Sequence, residues 1–152
     1  MSADEATTSS TVNVKWVEDN LFVGSDEEGH SVVLDSSLSA NPGRKAQSRG
    51  MGPMRTLLAA LGACSGMDVA AILKKRKQKL DSLSVEVTGK RRQFGHPKPY
   101  TEIHLRFQLG GAALDEIFVK EAVSDSVQKF CSVAATINER ARISFSYEVS
   151  HA

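Results

Sequence analysis

The chain has 152 residues, enough for one domain with a core of its own. Apolar residues make up 41%, charged residues 24%, and the formal net charge is +1. That balance argues against a basic nucleic-acid-binding protein and gives no electrostatic pull toward an anionic membrane.

The N-terminal stretch MSADEATTSSTV carries acids and no base before Lys15. It lacks the basic start and apolar core of a secretory signal. Residues 1–11 are therefore expected to form a flexible tail and residues 12–152 a single domain. The expected location is the cytoplasm, where thiols are kept reduced.

Val12, Val14 and Trp16 alternate with polar residues, and Leu21–Val23 and Val32–Leu34 are two further apolar runs. With SDEEGH as a turn between the last two, this reads as three short strands. Residues 36–52 are rich in Ser, Gly and Pro and read as a long loop, a length often functional or mobile.

Pro53 suits the first turn of a helix, where its missing N–H would be unpaired anyway. From Met54 to Leu73 the only charges are Arg55 and Asp68. The helix has no clear polar face and is expected to be central and buried. Its length approaches that of a membrane span, but a mid-span acid is costly there and the flanking strands need a core helix. KKRKQK (74–79) places five bases in six at the C-terminus, where they complement the dipole and draw the end into water.

Leu83, Val85 and Val87 alternate with polar residues, as do Ile103, Leu105, Phe107 and Leu109, and GHPKPY between them is a turn. From about Leu114 to Phe130 a helical period returns through Val119, Val123, Val127 and Phe130, with Asp115 and Glu116 in its first turn. CSVAATINER continues as a second short helix or a bent extension. Ile143, Phe145, Tyr147 and Val149 form a last strand. The order is βββ–α–ββ–α(α)–β, with mostly hairpin-linked strands, so the fold class is α+β.

Two cysteines, Cys64 and Cys131, are the candidate nucleophiles. They lie 67 residues apart and fit no CxxC or zinc-ligand spacing. The four histidines are isolated in sequence, so no metal and no cofactor is expected. Read on its own segment, Cys64 is a small buried hydrophobe in a tight helix. Gly62 and Gly66 each cost a helix about 1 kcal/mol relative to Ala. They imply close approach by another chain segment, or access of a small substrate to the sulfur.

A reactive thiol needs a cation or a helix N-terminus. Cys64 lies too deep in its helix for the dipole. Arg55, nine residues earlier, is about 13 Å away along the axis and half a turn out of phase. Asp68, at i+4, shares a face with Cys64. The cation must come from the loop, with Arg49 and Arg44 as candidates beside Lys45, or from a second subunit. Cys131 is either core filler or, if the helix breaks there, a thiol at a helix start that Ser132 caps.

Three stretches resemble the OsmC/Ohr family, the osmotically inducible and organic-hydroperoxide-resistance proteins: GPMRTLLAALGACSGMDV, HPKPYTEIHLRF and FCSVAATI. With the element order they cover residues 12–150. The resemblance implies an OsmC-like fold with antiparallel sheets around the buried helix, in an intertwined homodimer with interfacial sites. It also implies a thiol peroxidase. Cys64 would attack an organic hydroperoxide, and H₂O₂ more weakly, to give a sulfenic acid. Cys131 would resolve it as a disulfide, and a lipoyl-type dithiol would restore the pair. Family reductases activate the thiolate with an early arginine and a glutamate just after the helix-start proline. This chain has no arginine before Arg44 and carries Met54 and Arg55 after Pro53. It is therefore similar to the broader OsmC-like branch. The alternative is a redox-responsive or small-molecule-binding dimer with little turnover. No nucleic-acid or membrane partner is expected.

Overall fold

The computed structural model describes residues 6–36 and 48–151. The chain forms two compact units, Met1–Thr56 and Leu57–Ala152. Residues 6–11 carry no helix or strand. Arg44 and Lys45 lie outside the described residues, as does most of the expected loop.

The first unit is an antiparallel meander of β1 (Val12–Glu18), β2 (Leu21–Asp26) and β3 (Ser31–Leu34). Trp16 pairs with Phe22, which pairs with Leu34. The β2–β3 turn is tied by Asp26, whose carboxylate accepts from the backbone N–H of Glu28 and of His30 at 3.0 and 2.9 Å. Gly29 takes φ +91° in that turn, a conformation open to glycine without strain. Past β3, the Asp35 N–H donates to the Met51 carbonyl at 3.2 Å, drawing the far end of the loop beside the sheet.

The second unit holds α1 (Pro53–Lys75, whose first turn starts in the first unit), β4 (Ser82–Arg91), β5 (Tyr100–Gly110), α2 (Glu116–Asp125), α3 (Ser132–Asn138) and β6 (Arg142–Ser150). The strands form one sheet in the order β4–β5–β6. Alternation sorts its faces. Ile103, Leu105, Phe107 and Leu109 are buried on one side. On the other, Glu102 joins Lys90 at 2.9 Å and Arg142 at 2.7 Å, and Arg106 joins Glu148 at 2.8 Å.

The α+β class and the element order agree with expectation, and three details do not. First, this sheet is mixed. β4 and β5 are antiparallel, but β6 runs parallel to β5. The β5–β6 link passes through α2 and α3, and a helical crossover of that kind returns the chain in the same direction.

Second, α1 is not buried all round. Leu61, Gly62, Ser65, Gly66, Val69 and Leu73 form one buried face, while Met67 is 71% exposed and Leu57 38%. α1 is apolar and long enough to cross a membrane by length and composition alone. Its buried face is fitted to β4: a Cβ added to Gly62 would sit 2.9 Å from Val87, and one on Gly66 would sit 3.5 Å from Val85. The glycines thus admit the side chains of a neighbouring strand.

Third, the helix expected over 114–130 is interrupted. Asp115 is its N-cap, accepting from Ile117 N–H at 2.8 Å. Regular α-helix ends at Asp125, and Ser126–Phe130 make one π-helical turn. That turn adds a residue to the helical repeat and rotates everything beyond it. Val119 and Val123 are fully buried, as their spacing predicts, but Phe130 is 58% exposed.

Candidate active site

The π turn decides where Cys131 goes. It closes with the Cys131 N–H donating to the Ser126 carbonyl at 2.8 Å. Cys131 then takes an extended conformation, φ −69° and ψ 104°, and begins α3. Ser132 is not the cap. Cys131 is, with its own sulfur accepting from the Ala134 N–H at 3.3 Å. A side-chain acceptor is needed there because the first N–H groups of a helix have no partner within it.

Cys64 sits on α1, half-buried, and Asp68 follows one turn later. The two sulfurs and a carboxylate oxygen of Asp68 lie within 4.8 Å of one another. Both cysteines are free thiols. The chain therefore brings together two cysteines that the sequence keeps 67 residues apart.

Two serines hold the cluster. The Ser65 hydroxyl donates to the Cys131 sulfur at 3.3 Å. The Ser126 hydroxyl donates to the Ser65 carbonyl at 2.9 Å and also lies 3.4 Å from Asp68 Oδ2. Both serines are fully buried. Sequence reasoning passed over them, although Ser65 adjoins Cys64 and breaks an apolar run. Ser126 carried no local signal, because its position depends on the π turn.

Burial pushes the Cys131 thiol above its ordinary range, and the adjoining Cys64 sulfur adds to the rise. The hydrogen bonds from Ser65 and from the Ala134 N–H oppose it by favouring the thiolate. Cys131 is thus the more buried member of the pair, and Cys64 the more accessible one.

Of the arginines singled out in the loop, Arg44 lies outside the described residues. Arg49 belongs to the first unit. Its guanidinium is ion-paired with Glu18 and lies 3.6 Å from Asp35. Its backbone N–H donates to Asp35 at 2.8 Å.

A family model described as OsmC-like protein matches residues 45–146, a span that includes both cysteines. The chain belongs to the OsmC-like family. Protein YhfA of Escherichia coli (strain K12) is 39% identical over 136 residues, covering 90% of this chain and 95% of YhfA. A solved structure of a hypothetical protein from Aquifex aeolicus VF5 is 28% identical, with a TM-score of 0.77 and coverage of 95% and 99% of the two chains. An organic hydroperoxide resistance protein OsmC from Legionella pneumophila, described as a predicted redox protein, superposes with a TM-score of 0.68 over 95% and 100% of the chains. At 14% identity that likeness speaks for the OsmC-like fold alone. The OsmC/Ohr family includes peroxidases.

Proposed function

We propose that this OsmC-like protein is a thiol-dependent peroxidase that reduces organic hydroperoxides, and H₂O₂ more weakly, in defence against oxidative or osmotic stress. The observation that carries the reading is the approach of the Cys64 and Cys131 sulfurs to within 4.8 Å. A sulfenic acid formed on one thiol then has its resolving partner at hand.

The Cys64 thiolate attacks the O–O bond of ROOH. It takes one oxygen as Cys64–SOH, and the other leaves as RO⁻, which a proton converts to ROH. The Cys131 thiol condenses with the sulfenic acid, forming the S–S bond and releasing water. A dithiol reductant, of lipoyl type or similar, exchanges with that disulfide and leaves as its own cyclic disulfide. The roles follow exposure. Cys64 is the half-buried thiol that a substrate can reach, while Cys131 is only 3% exposed. The exposed apolar side of α1, with Leu57 and Met67, supports a homodimer that covers it, in a family whose members are typically dimeric.

A second reading, a redox-responsive dimer that turns over slowly, draws support from the pairing of Arg49 with two carboxylates. One titration separates the two. Reduced, metal-free protein is treated with cumene hydroperoxide or H₂O₂, and thiol loss and Cys64–Cys131 linkage are followed by peptide mass. The peroxidase reading expects stoichiometric linkage and steady turnover with a dithiol. Linkage without turnover favours the sensor, and unreactive thiols sink both. Cys64→Ser should abolish peroxide consumption and leave the dimer intact.

A further inference from the structure

We infer that Cys64, Asp68 and Cys131 form a binding site for one thiophilic divalent metal ion, of which Zn²⁺ is the best match. Two sulfurs and one carboxylate oxygen converge within 4.8 Å from two separate elements. Zn²⁺ takes sulfur at about 2.3 Å and carboxylate oxygen at about 2.1 Å in a tetrahedron. Those lengths set the sulfurs about 3.8 Å apart and each sulfur about 3.6 Å from the oxygen. The cluster, with all separations within 4.8 Å, needs to contract by at most about one ångström to reach that geometry. The donor set is borderline-soft, as Zn²⁺ prefers, and unlike the all-oxygen sets of Mg²⁺ and Ca²⁺.

The surroundings are those of a ligand set with outer support. Cys131 receives the Ala134 N–H and the Ser65 hydroxyl, each at 3.3 Å. The Ser126 hydroxyl lies 3.4 Å from the Asp68 carboxylate. The two donors to Cys131 would spread the charge of its thiolate and fix its direction, the role that hydrogen-bonding partners play behind metal ligands. The Ser126 hydroxyl could serve Asp68 in the same way by turning its hydrogen from the Ser65 carbonyl. This accounts for two fully buried serines in the apolar contact between α1 and the π turn. Three ligands leave the fourth position of the tetrahedron to water or a substrate atom. On binding, each thiol gives its proton to solvent and its sulfur lone pair to the metal. No electron is transferred. Metal binding and the Cys64–Cys131 disulfide draw on the same sulfurs and exclude each other.

The test uses full-length, untagged protein, reduced and stripped of metal, titrated anaerobically with Co²⁺ and then with Zn²⁺. Expected are thiolate-to-cobalt charge-transfer absorption and tetrahedral d–d bands, saturating at one Co²⁺ per chain and bleached by one Zn²⁺. Cys64→Ser and Cys131→Ser should each remove most of the charge-transfer intensity. Asp68→Asn, which keeps size and shape, should weaken Zn²⁺ at least tenfold against a chromophoric chelator, with circular dichroism confirming the fold. No charge-transfer band in the wild type, or Zn²⁺ affinity unchanged in Asp68→Asn, overturns the site. No peroxide enters this experiment, so its failure is distinct from failure of the peroxidase reading.

Discussion

The Ser65 hydroxyl donates a hydrogen bond to the Cys131 sulfur at 3.3 Å, so the residue that follows one cysteine in sequence holds the other in space. Both groups are buried. Ser65→Ala should therefore lower the stability of the reduced protein by about 1 kcal/mol, the net worth of one buried hydrogen bond. Urea unfolding under reductant, followed by circular dichroism, measures it. An unchanged midpoint would show that the sulfur gains nothing from the hydroxyl.

Asp35 organises the first unit. It is only 6% exposed and accepts from the backbone N–H of Arg49 at 2.8 Å and of Ser36 at 2.7 Å. The Arg49 N–H is the chief cause of its lowered pKa. The Ser36 N–H and the Arg49 guanidinium add to the fall, and burial opposes it. A carboxylate whose folded pKa is depressed adds stability above its unfolded value, about 3.9. That stability is lost as the pH falls through the lower, folded value. Asp35→Asn should thus be less stable than wild type at neutral pH, and the two should converge in acid below pH ~4. Trp16 is the chain's single tryptophan and is linked to Leu34 through the Trp16–Phe22–Leu34 register. Its fluorescence in urea titrations at several pH values reads out this unit. A gap between the two proteins that stays constant into acid would refute the argument.

Lys77 ends α1 in a strained conformation. Its φ is +56°, with Lys77 N–H donating to the Lys74 carbonyl at 3.0 Å and Gln78 N–H to the Leu73 carbonyl at 2.9 Å. This is the Schellman close of a helix, with lysine where glycine is usual. A side chain in left-handed backbone costs about 1–2 kcal/mol, partly offset by the larger unfolded-state freedom of glycine. Lys77→Gly should stabilise the protein by about 1 kcal/mol and raise Tm by about 2–4 °C. Scanning calorimetry checks the direction, and a lower Tm would contradict it.

Much of this arrangement is legible in the sequence where periodicity carries it. Leu83, Val85 and Val87, and Ile103 to Leu109, show their inward faces by alternation alone. Alternation assigns a face but not a partner or a direction, so the parallel β5–β6 pairing was hidden in it. Spacing also failed past Asp125, because Val127 and Phe130 fit a regular helix until the π turn adds its residue. The cysteine pair was legible only through family resemblance, and Asp68 through its i+4 spacing from Cys64, but no local pattern announced that Ser65 and Ser126 would gather around them. Those contacts join α1 to a turn about 60 residues later, which only tertiary packing specifies.

Gly62 and Gly66 lie one turn apart on the same face of α1, and the structure separates their roles. A Cβ at Gly66 would find Val85 at 3.5 Å and Leu83 at 3.9 Å, ordinary van der Waals contacts. Gly66→Ala should therefore gain most of the helix-propensity difference, about 1 kcal/mol. At Gly62 the same atom would lie 2.9 Å from Val87, whose stiff side chain belongs to a strand paired along its whole length with β5. Gly62→Val adds two further carbons there and should destabilise by about 1–3 kcal/mol through overpacking. Denaturant titration of both variants under reductant gives the comparison. Gly62→Val at or above wild-type stability would mean that α1 does not press on β4 at this point. Gly66→Ala below wild type would mean that its neighbours leave less room than these distances indicate.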